Sequence, residues 1–186
     1  GRPTYDPARA QTLARSTLGD TRVRATLVFR GGGGQARPYK AMVELLQSDL
    51  VKLGVDLELV QVEQAALRAR ETSGDWDLRL GQLGWANGDP DWLMDRFLSS
   101  KGDYNVGRKA GYRNTEVDVL VAAGKTERDS RKRFAIYERL QEIAVRDVPM
   151  TPLYHEYGVY AYRDTITGLR IRVSYQPTLD EIQLVK

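Results

Sequence analysis

Few residues of this 186-residue sequence have types and spacings that could do chemistry. There is no cysteine, which excludes thiolate nucleophiles and cysteine-ligated metals, and His155 is the single histidine. Asp89 and Asp91 could share acid–base work, but residues at i and i+2 of a helix start point to different sides. Capping of a helix that begins at Pro90 is the simpler interpretation. A hydrolase that uses Asp89, Asp91 or His155 stays open, and it predicts that these groups lie within hydrogen-bond reach of one another around one pocket.

Two glycine-containing segments resemble parts of phosphate-binding loops. The run at 31–34 lies between a predicted strand and a predicted helix, which is the context of such a loop, but no Lys-Ser or Lys-Thr follows at the required spacing. Gly124-Lys125-Thr126 resembles the end of the motif, yet its first glycine would fall at Val119. We interpret the run at 31–34 as a strand-to-helix turn. The sequence predicts no cofactor, no metal ligand and no catalytic residue.

Aromatic residues offer a better candidate for a binding site. Trp85 lies in the segment GWANGDPDW, directly after a predicted strand, and the carboxyl ends of strands are where open α/β sheets bind ligands. Tyrosine and tryptophan combine an apolar face with a polar group, as ligand clefts require. Core packing is the competing explanation for some of the crowded aromatic side chains, which are Trp76, Trp92, Tyr154, Tyr157, Tyr160 and Tyr162.

Composition narrows the class of protein. Lysine and arginine number 28 against 25 acidic residues, a net charge of +3 that is spread along the chain, so nucleic acid is not an expected partner. No stretch has the roughly 20 apolar residues that a membrane helix needs. The first residues lack an apolar run and an initiator methionine, and we interpret them as a processed or cut end. These features indicate a globular domain that is large enough for its own core.

Hydrophobic periodicity predicts alternating helices and strands, which defines an α/β fold with a mixed sheet flanked by helices. Cap signals strengthen several helices, for instance Asp6 and Asn114 as N-caps and Gly19 as a stop. The predicted helices are 6–18, 38–53, 64–72, 89–98, 114–123 and 130–145. The predicted strands are 23–29, 55–62, 76–83 and 153–162, with weaker candidates at 166–173 and 181–185.

Three segments together resemble one family. They are YDPARAQTLARS, WDLRLGQLGWANGDPDWLMDRFLSS and GYRNTEVDVLVAAGKTERDSRKRFAIYERLQEIAVRDVPMTPLYH. Their order and spacing are similar to the final lobe of the family 5 solute-binding proteins, the dipeptide, oligopeptide and nickel group. The resemblance spans about residues 5–165.

This resemblance implies a type II periplasmic-binding-protein-like fold, with residues 1–186 as the C-terminal lobe of a two-lobed protein. Such a protein closes on a peptide, a nickel chelate or a similar small solute between its lobes. It works outside the cytoplasmic membrane, in the periplasm or lipid-anchored, and delivers the solute to the permease of an ABC importer. The implied partners are therefore the solute, the permease and the N-terminal lobe. A protein-interaction domain without a solute is the further alternative.

The resemblance also implies ligand-binding positions. The loop after the Gly-Trp strand contacts ligand in the family, which points to Trp85, Ala86, Asn87 and Gly88. Dipeptide and oligopeptide binders anchor the peptide amino group with an aspartate of this loop, and that position holds Ala86 here. Nickel-chelate binders stack a tryptophan of this loop near the chelate, which fits Trp85, and they can use a histidine after the following helix. That region contains Tyr104 and Asn105 here, and the late aromatic segment adds Tyr154 and His155 as candidates.

Overall fold

A computed structural model describes residues 4–31, 39–84, 88–155, 157–172 and 176–185. The chain divides into two compact units, which are described separately below. The first comprises Gly1–Gln82 and Asp103–Gly111, and the second comprises Leu83–Gly102 and Tyr112–Lys186. That residues 1–186 form the C-terminal lobe of a larger protein stays a prediction.

Helices and strands alternate through the first unit and the start of the second. The helices are α1 (Pro7–Leu18), α2 (Tyr39–Val51), α3 (Gln64–Ser73), α4 (Pro90–Phe97), α5 (Asp103–Val106), α6 (Thr115–Thr126) and α7 (Ser130–Asp147). The strands are β1 (Val23–Arg30), β2 (Val55–Val62), β3 (Leu78–Leu80), β4 (Ile166–Thr167), β5 (Arg170–Ile171), β6 (Pro177–Thr178) and β7 (Gln183–Leu184).

The first unit is built on a three-stranded parallel sheet in the order β2-β1-β3. The central strand β1 buries Leu27, Val28 and Phe29 in succession, as a strand covered on both faces does. Leu27 and Phe29 pack with Val43 of α2 and Leu57 of β2 in one apolar core. Because all three strands run in the same direction, their carboxyl ends lie along one edge of the sheet.

The second unit is mainly helical where it is most buried. α6 and α7 pack through an apolar cluster that contains Val117, Val121, Tyr137, Leu140 and Ile143. Two short antiparallel ribbons follow, β4 with β7 and β5 with β6. The predicted α/β class is confirmed, with the parallel and antiparallel strand pairs in separate sheets.

Local sequence signals located most helix ends. Asp6 accepts a hydrogen bond from the Arg9 amide, and Asn114 accepts from the amides of Glu116 and Val117. Gly19 ends α1 with a φ of 57°, in the left-handed region that favours glycine. The six predicted helices are present, with ends that differ by up to three residues.

Two of the four main predicted strands differ from the structure, and the weaker candidates at 166–173 and 181–185 are reduced to β4, β5 and β7. The strand predicted at 76–83 is reduced to β3, because the Asp77 carboxylate takes the Thr26 amide hydrogen that a longer ladder would use. The strand predicted at 153–162 was wrong, since the described part of that segment contains no strand. Its described residues are all exposed, so this segment lacks the buried face that stabilises a strand in a sheet.

Candidate functional site

The loop that follows β3 carries four of the predicted ligand residues. Trp85, Ala86 and Asn87 lie outside the described residues, so their predicted contacts stay predictions. Gly88 is exposed and has a φ of 75°, a conformation that favours glycine. It directly precedes the cap of α4, and its backbone turn therefore leads the loop into that helix.

Asp89 and Asp91 have different surroundings at the start of α4. The Asp89 carboxylate accepts a hydrogen bond from the Asp91 amide and pairs with Arg133 at 2.8 and 3.0 Å. The hydrogen bonds from Arg133 hold the pKa of Asp89 below its usual range, whereas burial raises the pKa of Asp91. Asp89 is thus the helix cap that the sequence predicted, and it also joins α4 to α7.

Tyr104 and Asn105 lie side by side on the short helix α5. Asn105 is buried and Tyr104 is half-buried. The guanidinium carbon of Arg108 lies 4.2 Å from the centre of the Tyr104 ring, and that of Arg79 lies 5.9 Å from it. Arginine over an aromatic face is a favourable cation–π arrangement. The first unit therefore combines an aromatic ring with two guanidinium groups close to the carboxyl end of β3.

A buried carboxylate organises these guanidinium groups. Glu71 of α3 has only 1% of its side chain exposed, and Arg108 Nη1 donates to both of its oxygens at 3.1 Å. Arg79 Nε forms an ion pair with the same carboxylate, and Arg68 Nη1 lies 3.6 Å from it. A buried charge requires this kind of compensation, because an unpaired carboxylate is strongly disfavoured away from water.

The segment 103–111 also makes polar contacts within itself, with α3 and with Trp76, which lies between α3 and β3. The Trp76 indole N–H donates to the Arg108 carbonyl at 3.0 Å. Arg108 Nε donates to Asp103 Oδ2 at 3.2 Å, and Arg68 Nη2 lies 3.9 Å from Asp103 Oδ1. We refer to Arg68, Glu71, Arg79, Asp103 and Arg108 as the Glu71 cluster. With the neighbouring Tyr104 ring, the cluster combines guanidinium groups and an aromatic face, a combination that suits recognition of a polar ligand.

Sequence reasoning missed the Glu71 cluster. One signal was available, since Glu71 follows Leu67 by four residues and so shares its buried helix face. An acidic residue on such a face needs a cationic partner. Which cation pairs with Glu71 depends on long-range contacts that no local pattern encodes. Arg108, for instance, is 37 residues away along the chain.

The remaining candidates, Tyr154 and His155, belong to an exposed segment after α7. Tyr154 is 51% exposed, and His155 is exposed as well. In the described ranges, no three His, Asp or Glu side chains converge as a metal site would require. The described helices also include none with the length and apolar character to cross a membrane.

Comparison with solved structures defines the fold. The chain superposes on a dipeptide-binding protein of Pseudoalteromonas sp. SM9913 in complex with Met-Leu with a TM-score of 0.79, at 24% identity over 98% of this chain and 36% of that one. It matches a Staphylococcus aureus NikA in complex with Ni(L-His)2 with a TM-score of 0.65, at 22% identity over 80% of this chain and 32% of that one. The fold is that of the type II periplasmic binding proteins, as predicted.

Comparison of sequences defines the family. The family model described as "Bacterial extracellular solute-binding proteins, family 5 Middle" matches residues 2–105. Di/tripeptide-binding proteins 4 and 1 of Pseudomonas aeruginosa strain UCBPP-PA14 are 30% and 33% identical over 88% and 90% of this chain. This chain belongs to the family 5 bacterial extracellular solute-binding proteins. It spans 31% of the length of these two relatives.

Proposed function

We propose that this chain is the C-terminal lobe of a two-lobed solute-binding protein that captures short peptides for an ABC importer. Similarity over about nine tenths of the chain to di/tripeptide-binding proteins is the observation that carries this proposal. The protein would act outside the cytoplasmic membrane and deliver its peptide to a permease. Its role would be binding, in line with the transport function of the family.

The chemistry near β3 supports a peptide as the solute. A short peptide offers a carboxylate, amide groups and side chains, and the Glu71 cluster with Tyr104 offers guanidinium donors beside an aromatic ring. Asn105 adds an amide side chain on the same helix. With Ala86 at the position of the family's amine-anchoring aspartate, we expect another group of the whole protein to bind the peptide amino group.

Exposed apolar side chains after α7 support the proposal that the whole protein has a second lobe. Tyr157 is 94% exposed and Val159 is 91% exposed, and Leu153, Tyr154 and Tyr162 each expose more than half of their surface. A contiguous run of this kind is typical of a surface that another part of a protein covers. The relatives are about three times as long as this chain, so they contain enough sequence for a further lobe.

Calorimetric titration of the full-length protein tests the proposal. Di- and tripeptides form one panel, and nickel with small organic chelators forms the other. We expect peptide binding that Tyr104→Ala and Trp85→Ala each weaken by roughly tenfold or more, as loss of an aromatic anchor does. Tyr5→Ala is the matched control, because Tyr5 is 90% exposed in the first unit.

Each outcome of the titration has one meaning. Peptide binding that both site variants weaken supports the proposal. Chelate binding without peptide binding contradicts the peptide assignment and favours a metal-uptake protein. Absence of heat in both panels contradicts small-solute binding and favours the interaction-domain alternative.

A further inference from the structure

The Glu71 cluster has more positive than negative charge, and its only fully buried member is an anion. Three arginines face two carboxylates, and Glu71 is 1% exposed while Arg79 and Arg108 are 15% and 17% exposed. Without Glu71, Arg79 would lose its carboxylate partner in the cluster, and Arg108 would keep only Asp103. We expect them to turn toward water in that case, since a desolvated cation without a partner is costly.

A short chain of contacts leads from Glu71 to the candidate ligand residues. Arg108 binds both Glu71 oxygens through Nη1 and lies over the Tyr104 ring at 4.2 Å. Its carbonyl accepts from the Trp76 indole, which fixes the backbone of the same residue. The Arg108 amide donates to the Asp103 carbonyl, which closes the turn that contains Tyr104 and Asn105.

We infer that Glu71 is a positioning residue of the solute site, which holds α5 in place and orients Tyr104 through Arg108. This inference rests on the proposed function, because it assumes that Tyr104 and Asn105 contact the solute. Glu71 itself contacts guanidinium groups and lies outside the apolar core of Leu27, Phe29, Val43 and Leu57. Its charge therefore acts on the arginines and, through them, on α5.

Glu71→Gln isolates the charge, since it keeps the size and shape of the side chain. The first readout needs no solute and uses amide hydrogen exchange in the full-length protein. The amides of Gly107, Arg108 and Ala110 bond to carbonyls of Asp103 and Tyr104, so they report directly on α5. We expect Glu71→Gln to accelerate their exchange by roughly tenfold or more beyond the acceleration in β1, because β1 reports global unfolding whereas α5 also opens locally.

Glu58→Gln is the matched control, with the same substitution at an exposed position of the first unit. We expect it to leave exchange at α5 unchanged. Unchanged exchange at α5 in Glu71→Gln overturns the inference. Equal acceleration in β1 and α5 overturns it as well, because Glu71 would then support the whole unit rather than α5.

The second readout is affinity for the dipeptide Met-Leu in a double-mutant cycle. We expect Glu71→Gln alone to weaken binding roughly tenfold and to cost little more in the Tyr104→Ala background, because coupled residues are non-additive. Additive losses overturn the inference. If Glu71→Gln does not fold, Arg108→Lys replaces it, since lysine keeps the charge but lacks the planar group that stacks on Tyr104.

Failure of the inference and failure of the proposed function give different results. Accelerated exchange at α5 in a protein that binds neither Met-Leu nor the other peptides supports the positioning of α5 and contradicts peptide binding. Normal peptide binding with unchanged exchange and unchanged affinity in Glu71→Gln contradicts the role of Glu71 and leaves peptide binding intact.

Discussion

Two carboxylates, one in each unit, collect several hydrogen-bond donors but in opposite surroundings. Glu71 is 1% exposed and its partners are guanidinium groups. Asp147 ends α7 with a side chain that is 22% exposed, and it accepts from Tyr112 at 2.7 Å, Asn114 at 2.8 Å and Arg146 at 2.7 Å. Water can replace the partners of Asp147 but has little access to Glu71. We therefore expect the contacts of Glu71 to contribute more to the free energy of unfolding than those of Asp147.

The largest expected effect is at Glu71. Glu71→Ala leaves Arg79 and Arg108 without their shared counter-ion, and breaking a buried pair in this way costs about 3–5 kcal/mol. We expect urea unfolding of the purified protein to show that loss in the free energy of unfolding. Glu58→Ala, at an exposed position, should stay within about 0.5 kcal/mol of the parent protein. Similar losses in the two variants would contradict the claim that a buried carboxylate stabilises the fold more than an exposed one.

Asp89 is an intermediate case, since its side chain is 40% exposed and combines a helix cap with an ion pair to Arg133. Asp89→Ala should lower the free energy of unfolding by about 1–2 kcal/mol, most of it from the cap. Asp89→Asn retains a capping side chain and should cost clearly less in the same urea titration. Equal losses would assign the effect to the ion pair instead.

Asp147 should make stability depend on pH at the acid end. Hydrogen bonds from Arg146, Tyr112 and Asn114 hold the pKa of Asp147 far below its usual range. The folded state therefore gains stability above the unfolded pKa of about 4 and loses it as pH falls through the folded value. In thermal melts from pH 6 to pH 2, the melting temperature of Asp147→Asn should fall less with pH than that of the parent protein. Parallel profiles would show that the contacts at Asp147 do not stabilise the fold.

The smallest effect is expected at Tyr112, which supplies one of the three contacts of Asp147. Burial, followed by the hydrogen bond to Asp147, raises the pKa of Tyr112 to about 12. Its contribution is complete below the unfolded pKa of about 10 and is lost between pH 10 and pH 12. Tyr112→Phe should cost about 1 kcal/mol at neutral pH and remove that alkaline loss in thermal melts. A loss in the free energy of unfolding near that of Glu71→Ala would contradict the view that the contacts of Asp147 stabilise the fold less than those of Glu71.

The sequence predicted features whose cause is local. Asp6 and Asn114 were identified as caps because capping needs only the next three residues. The strand at 55–62 was predicted at its observed bounds because Val55, Leu57 and Leu59 alternate with polar residues and pack in one apolar core. The strand predicted at 153–162 shows where local patterns fail. An apolar and aromatic pattern indicates a surface that another part of a protein covers, but it does not determine that the segment forms a strand.

The candidate site was predictable only in part. Tyr104 and Asn105 were identified through the resemblance to the family, and the structure places them together on α5. The Glu71 cluster, by contrast, depends on how α3, β3 and residues 103–111 pack. Glu71 and Arg108 are 37 residues apart, and neither local propensity nor hydrophobic periodicity couples residues at that separation.

The most direct test of the account compares amide exchange of the full-length protein with and without saturating Met-Leu. If the first unit contributes the peptide site at α5, exchange should slow at residues 103–110, while the α6–α7 core stays unchanged. Bound Met-Leu that leaves residues 103–110 unprotected would contradict the assignment of the solute site to Tyr104 and Asn105.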